Sequence, residues 1–176
     1  MSTDDITGRL ARYMVEARER SLAPDVAREA RHRILDTLAA MVSGARLKPG
    51  KMAIRYAQAQ AGVEEANVLT TDIRTSAINA ALVNAMFGHA DETDDFHPAT
   101  KAHPGCAVVP AALAMAEREG ASGTELLNAV ALGYDLCCRF LLALGADLVR
   151  RTHRSAEGIS STLGSVGAAA ALSPAG

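Results

Sequence analysis

The chain has 176 residues, 49% of them apolar and only 3% aromatic, with a formal net charge of −2. That length suits one domain, and the apolar share suffices for a core. With no basic cluster and no aromatics interleaved among Lys or Arg, the composition argues against a nucleic-acid-binding surface.

Alanine supplies much of the apolar content. Ala is the best helix former and a poor strand residue, so the composition favours close-packed helices over sheet. The three cysteines are Cys106, Cys137 and Cys138. The last two are adjacent on a predicted helix, and no CxxC or CxxH spacing supports zinc. An odd cysteine count and an acidic, polar start (MSTDDITGRL) unlike a signal or transit sequence lead to the expectation of a reducing, cytoplasmic setting. The stretch from Leu126 to Leu144 is long and mostly apolar. Asn128, Asp135 and Arg139 interrupt it, which favours a buried core helix over a membrane span.

In chain order, the first predicted helix runs from about Asp4 to Glu19, with Thr3 as N-cap and Ile6, Leu10, Met14 and Ala17 on one stripe. Pro24 opens a second helix and Gly44 ends it, with Ala27, Ala30, Ile34, Leu38 and Met41 facing one way. Pro49-Gly50 reads as a turn before a third helix over about Lys51 to Ala61. "EEANVLTTD" is the one strand-like stretch and could equally be an extended connector. Thr75 to Phe87 is helical by spacing. A further helix is predicted over about Ala107 to Glu119, with Pro110 acceptable only in its first turn. Ser122-Gly-Thr-Glu125 is a capping box that opens a long helix to about Leu144. A polar link over Arg150 to Ser161 then precedes an Ala-rich helix start at Gly167. The chain stops soon afterwards, as if inside a fold.

Between two of these helices lies His89 to Gly105, HADETDDFHPATKAHPG. Four carboxylates (Asp91, Glu92, Asp94, Asp95) fall within five positions, flanked by His89, His97 and His103. Carboxylate plus imidazole is the pairing that moves protons near neutral pH. So many acids close together raise the cost of ionising all of them if the loop is partly buried. His103-Pro104-Gly105 sits just before a helix start, where backbone N–H groups attract anions. A base beside an anion cradle suits proton abstraction next to a carboxylate, followed by elimination. The plain alternative is a solvated loop whose Asp and Thr residues form caps and turns. For a metal, no known ligand spacing fits and HExxH is absent, so no metal ligand is assigned.

The segment "AINAALVNAMFGHADETDDFHPATKAHPGCAVVPAALAMAEREGASGTELLNAVALGYDL" resembles the MmgE/PrpD family, the 2-methylcitrate dehydratase and cis-aconitate decarboxylase superfamily. The family pattern runs AA-x-x-NG, H-A-x-D-x-D-D-T, HPS or HPG, a PAALA helix, A-S-G-x-E-L-L and G-Y-E/D. The opening helices are similar as well. The resemblance implies that residues 1–176 are the N-terminal part of a large all-α, helical-bundle-like domain. Longer members complete it with a smaller α/β lid domain, which this chain is expected to lack. It further implies a homodimer that uses neither metal nor organic cofactor, and a small polycarboxylate substrate that loses water or CO2 or is isomerised.

Carried over by position, His103 matches the histidine of HPS/HPG and is the proton-transfer candidate. Asp94 and Asp95 match the paired acids. The first acid falls on Glu92, one methylene longer, with Asp91 beside it as the alternative. The family threonine falls on Phe96, which loses a hydroxyl. Asp91, His97 and Lys101 are candidates for holding substrate, Lys101 as the nearest cation for an enolate-like intermediate. His153 is the one candidate for a second site histidine, although it lies several residues early. The family's downstream lysines have no counterpart here. Two expectations follow: a lyase-type domain, or a truncated, inactive fragment acting as a helical interaction or dimerisation module. With the lid missing, no appreciable turnover by this chain alone is expected.

Overall fold

The computed structural model describes residues 5–60, 62–152 and 156–174. It is 71% helical, with two short strands among the described residues, the all-α architecture that the family resemblance implies and the helices that the composition favours. Helix α1 (Ile6–Glu19) is capped by Asp5, whose carboxylate accepts from the Gly8 N–H at 2.6 Å. The expected cap, Thr3, lies outside the described residues. Helix α1 buries none of its residues and leans on the later helices α6 and α8. Helix α2 (Pro24–Gly44) has the expected bounds, with Pro at its start where no N–H is needed.

Helix α3 (Lys48–Gln60) corrects the sequence reading: Pro49 and Gly50 lie in its first turn, not in a separate turn. Proline is tolerated there for the same reason as at the start of α2. The strand-like stretch forms a two-residue antiparallel pair, β1 (Ala66–Asn67) with β2 (Arg74–Thr75). This hairpin is tied down by helix α4 (Ala77–Gly88). The Asn84 amide is 1% exposed; it accepts from the Leu69 N–H and donates to the Asn67 carbonyl, both at 3.0 Å.

Helix α5 (Gly105–Glu119) begins two residues earlier than its spacing suggests. Pro110 therefore lies in its second turn, not its first, where it cannot donate to the carbonyl of Cys106. Gly120 ends α5 in the left-handed conformation that glycine adopts without strain. Ser122 and Glu125 form the expected reciprocal capping box at the start of α6 (Gly123–Leu144). Helix α6 is long and apolar enough to span a membrane by composition. Here Ala129, Val130, Gly133, Leu136 and Cys137 turn one face of it into the core.

The polar link expected over Arg150 to Ser161 is instead α7 (Ala146–Arg151) followed by α8 (Ala156–Leu172), so the last helix begins well before Gly167. Serines and glycines lower its intrinsic helix preference, but packing overrides that preference. The small residues let α8 lie close against α6: a Cβ on Gly133 would stand 2.9 Å from the Gly164 carbonyl oxygen and 2.6 Å from Val108. The main core joins Met41, Val68, Val83, Phe87, Val108, Val109, Val130 and Ala168, with α5 packed among α2, α4, α6 and α8. The cysteines form no disulfide among the described residues.

Candidate active site

Helix α4 stops at Gly88 and α5 starts at Gly105, so the loop between them is held at both ends by core helices. Its own side chains shape it. The Asp91 carboxylate accepts from the Ser43 hydroxyl at 2.6 Å and from the Thr93 hydroxyl at 2.7 Å, which hold its pKa below the usual carboxylate value. These bonds pin the loop to the end of α2. Glu92 turns outward in a left-handed conformation (φ 53°), and no hydrogen bond or ion pair joins it to Asp94 or His103. His97 closes a tight turn. Its N–H donates to the Ala102 carbonyl at 2.9 Å, and its Nδ1 lies 2.7 Å from the Thr100 hydroxyl. Lys101, also left-handed (φ 62°), brings its Nζ to 5.4 Å from the Phe96 ring centre.

Asp94 and Asp95 are adjacent, so their side chains diverge to different partners. The Asp94 side chain is 0% exposed. Both of its oxygens lie 3.2 Å from His89 Nδ1, and Oδ1 lies 3.3 Å from His103 Nδ1. An ionised carboxylate only accepts, so His89 Nδ1 carries the hydrogen in that contact. The His103 approach is off the hydrogen-bonding direction, and its buried Nδ1 has no hydrogen-bond partner. The His89 and His103 rings meet edge to face at 5.2 Å. The Phe96 ring covers His103 at 5.4 Å, an apolar surface where the family pattern has a hydroxyl.

Asp95 faces the other way. Its Oδ1 accepts from the Gly105 N–H at 2.8 Å and its Oδ2 from the Tyr134 hydroxyl at 2.9 Å. It therefore fills the anion position at the α5 start that the sequence suggested for a substrate. Burial raises the Asp95 pKa against the opposing pull of these two donors. The Tyr134 hydroxyl is pushed up as well, by burial and then by the Asp95 charge.

Folding thus gathers His89, Asp94 and His103, and sets Phe96 and Lys101 at their edge. It gives Asp91, Asp95 and His97 partners that shape the loop. His153 lies outside the described residues. Two residues here were not singled out from sequence. Tyr134 carries the G-Y-D motif that signalled it. Cys106, in the first turn of α5, places its thiol 3.1 Å from the His103 carbonyl oxygen, to which it donates. Burial, then the charge of Asp94, raises its pKa.

The chain is 28% identical over 177 residues to the cis-aconitate decarboxylase-like protein oryM of Aspergillus oryzae. That similarity covers 96% of this chain and 36% of oryM, so the chain spans about a third of that relative's length. The model of the MmgE/PrpD N-terminal domain matches residues 8–175, and the chain belongs to that family.

Proposed function

We propose that the loop from His89 to Gly105 is the proton-transfer part of a lyase site for small polycarboxylates. The supporting observation is the Asp94 carboxylate, fully buried between the imidazoles of His89 and His103. In this reading His103 removes a proton from a carbon beside a substrate carboxylate, and Asp94 stabilises the imidazolium that forms. His89 holds Asp94 from the other side. Loss of water or CO2 from the resulting enolate-like intermediate completes the reaction, with Lys101 as the nearby cation on this loop. Asp95 acts by position, fixing where α5 begins. The name of the oryM relative supports a tricarboxylate as the substrate class.

The test is solvent deuterium exchange. The purified chain is incubated in D2O with citrate, 2-methylcitrate or cis-aconitate and followed by NMR. Exchange reads the first step alone, so it informs with or without complete elimination. Deuterium enters beside a carboxylate with the parent chain and not with His103→Ala. Absence of both binding and exchange for all three acids would overturn this reading.

A second reading, a helical interaction module without turnover, is favoured by a separate feature. An apolar groove of about 570 Å3 runs between α1, α6 and α8, lined by Leu10, Met14, Leu136, Phe140 and Val166. Ile6, at its edge, is 84% exposed. Exposed apolar patches of this kind mark contact surfaces. This reading predicts self-association that Ile6→Glu together with Phe140→Glu disperses. A monomer by light scattering in both proteins removes it.

A further inference from the structure

We infer that His89, Asp94 and Cys106 form a divalent transition-metal site of the zinc class, placed so that metal binding and proton transfer exclude one another. The sequence offers no ligand spacing of the usual kind. The fold supplies the convergence: His89 is the last-turn cap of α4, Asp94 lies mid-loop, and Cys106 is in the first turn of α5. One nitrogen, one carboxylate oxygen and the sulfur lie within 4.8 Å of one another. Zinc bonds of about 2.0–2.3 Å in a tetrahedron separate neighbouring ligand atoms by about 3.3–3.8 Å. His89 Nδ1 and Asp94 already stand 3.2 Å apart, and the three ligand atoms have to close in from a spread of no more than 4.8 Å.

The donor set selects the metal. Imidazole and thiolate suit zinc, whereas magnesium and calcium take oxygen ligands. Three protein ligands leave a fourth position for water, the open arrangement of zinc sites that exchange ligands. An independent observation points to something at that position. His103 Nδ1 is buried, lies 3.3 Å from Asp94 and has no hydrogen-bond partner. A metal-bound water would donate to it. The metal has a way in, since the His89 side chain is 40% exposed. On binding, His89 gives up its Nδ1 hydrogen and takes one at Nε2, which frees the Nδ1 lone pair for the metal. The Cys106 S–H bond breaks, its proton passes to the buffer, and the sulfur's electron pair forms the metal–sulfur bond. The Cys106 hydrogen bond to the His103 carbonyl is given up.

The blocking of proton transfer rests on the lyase reading above, because it assigns Asp94 to the reaction. The binding itself does not, and the test separates the two. Cobalt(II) is titrated into the full chain and the absorption spectrum recorded, then zinc is added in competition. The expected result is one equivalent bound, with a thiolate-to-cobalt charge-transfer band that zinc abolishes. Cys106→Ser removes the band and weakens zinc binding about tenfold or more, while Cys138→Ser keeps both. If Cys106→Ser fails to fold, His89→Ala, at a partly exposed position, carries the same expectation for affinity. No cobalt bound, cobalt bound without the charge-transfer band, or equal affinity in the parent and these variants overturns the site. Binding as predicted, with deuterium exchange unaffected by zinc, overturns the exclusion alone.

Discussion

The Tyr134 hydroxyl donates to Asp95 Oδ2 at 2.9 Å, linking the middle of α6 to the acid that caps α5. The bond crosses 39 residues of sequence and ties the helix behind the site to the loop in front of it. Tyr134→Phe keeps the ring and deletes the donor, leaving a buried carboxylate oxygen short of a partner. A hydrogen bond to a charged group is worth about 1.5–3 kcal/mol, and the variant should lose stability in that range. Urea denaturation measures it. A loss within experimental error of zero would mean that the bond does not hold the cap.

The same acid should leave a signature in pH dependence. Burial raises the Asp95 pKa above the ordinary carboxylate value, so the folded chain keeps this proton to higher pH than the unfolded chain. Its favourable contribution is fully present below the unfolded value of about 3.9 and is lost as pH rises through the folded one. Asp95→Asn has no proton to lose. Relative to the parent, the variant should therefore gain stability between about pH 4 and about pH 7. Urea midpoints at the two pH values decide it, and a difference that stays constant with pH would refute the raised pKa.

Gly105 is where the cap and the helix meet. A Cβ at this position would stand 2.5 Å from the Thr37 hydroxyl, 2.6 Å from Asp95 Oδ1 and 2.8 Å from the Tyr134 hydroxyl. None of these is the free end of a long side chain, so relief requires moving α2, the loop or α6. Gly105→Ala should cost about 1–3 kcal/mol despite the better helix preference of alanine. The expected change is a lower urea midpoint with loss of the Asp95 cap, read from the amide shift of residue 105. A variant as stable as the parent would show that the space is more yielding than it looks.

The periodic helices and the capping box were legible because their signals are local: apolar spacing, Pro24 at a start, Ser122 three residues before Glu125. What could not be read arises from contacts between distant segments. The first part of α8 looked like a polar link because its serines and glycines disfavour an isolated helix, yet those small residues are what let it pack on α6. Pro110 was placed by a rule for the first turn, and a helix start set by Asp95 moved it into the second. In the site, residue types and family pattern marked the loop but not the division of labour within it. Asp94 and Asp95 are equivalent on paper. Only the positions of His89, His103, Gly105 and Tyr134 tell them apart.

That division yields the sharpest functional prediction. Asp94→Asn preserves shape but removes the charge that faces both histidines, and it should slow deuterium exchange into a tricarboxylate by about 10²–10⁴-fold, the scale of a lost proton-transfer partner. Asp95→Asn touches neither histidine, so its effect on exchange should be much smaller and should follow its effect on the α5 cap. The two rates are measured by NMR at a pH where both variants are folded, checked by circular dichroism. Equal losses for the two variants would mean that the acids act together, and the assignment of Asp95 to positioning would be wrong. A larger loss for Asp95→Asn would reverse the roles. With Asp94 as the partner of His103, the exchange rate should fall only when the carboxylate between the imidazoles is changed.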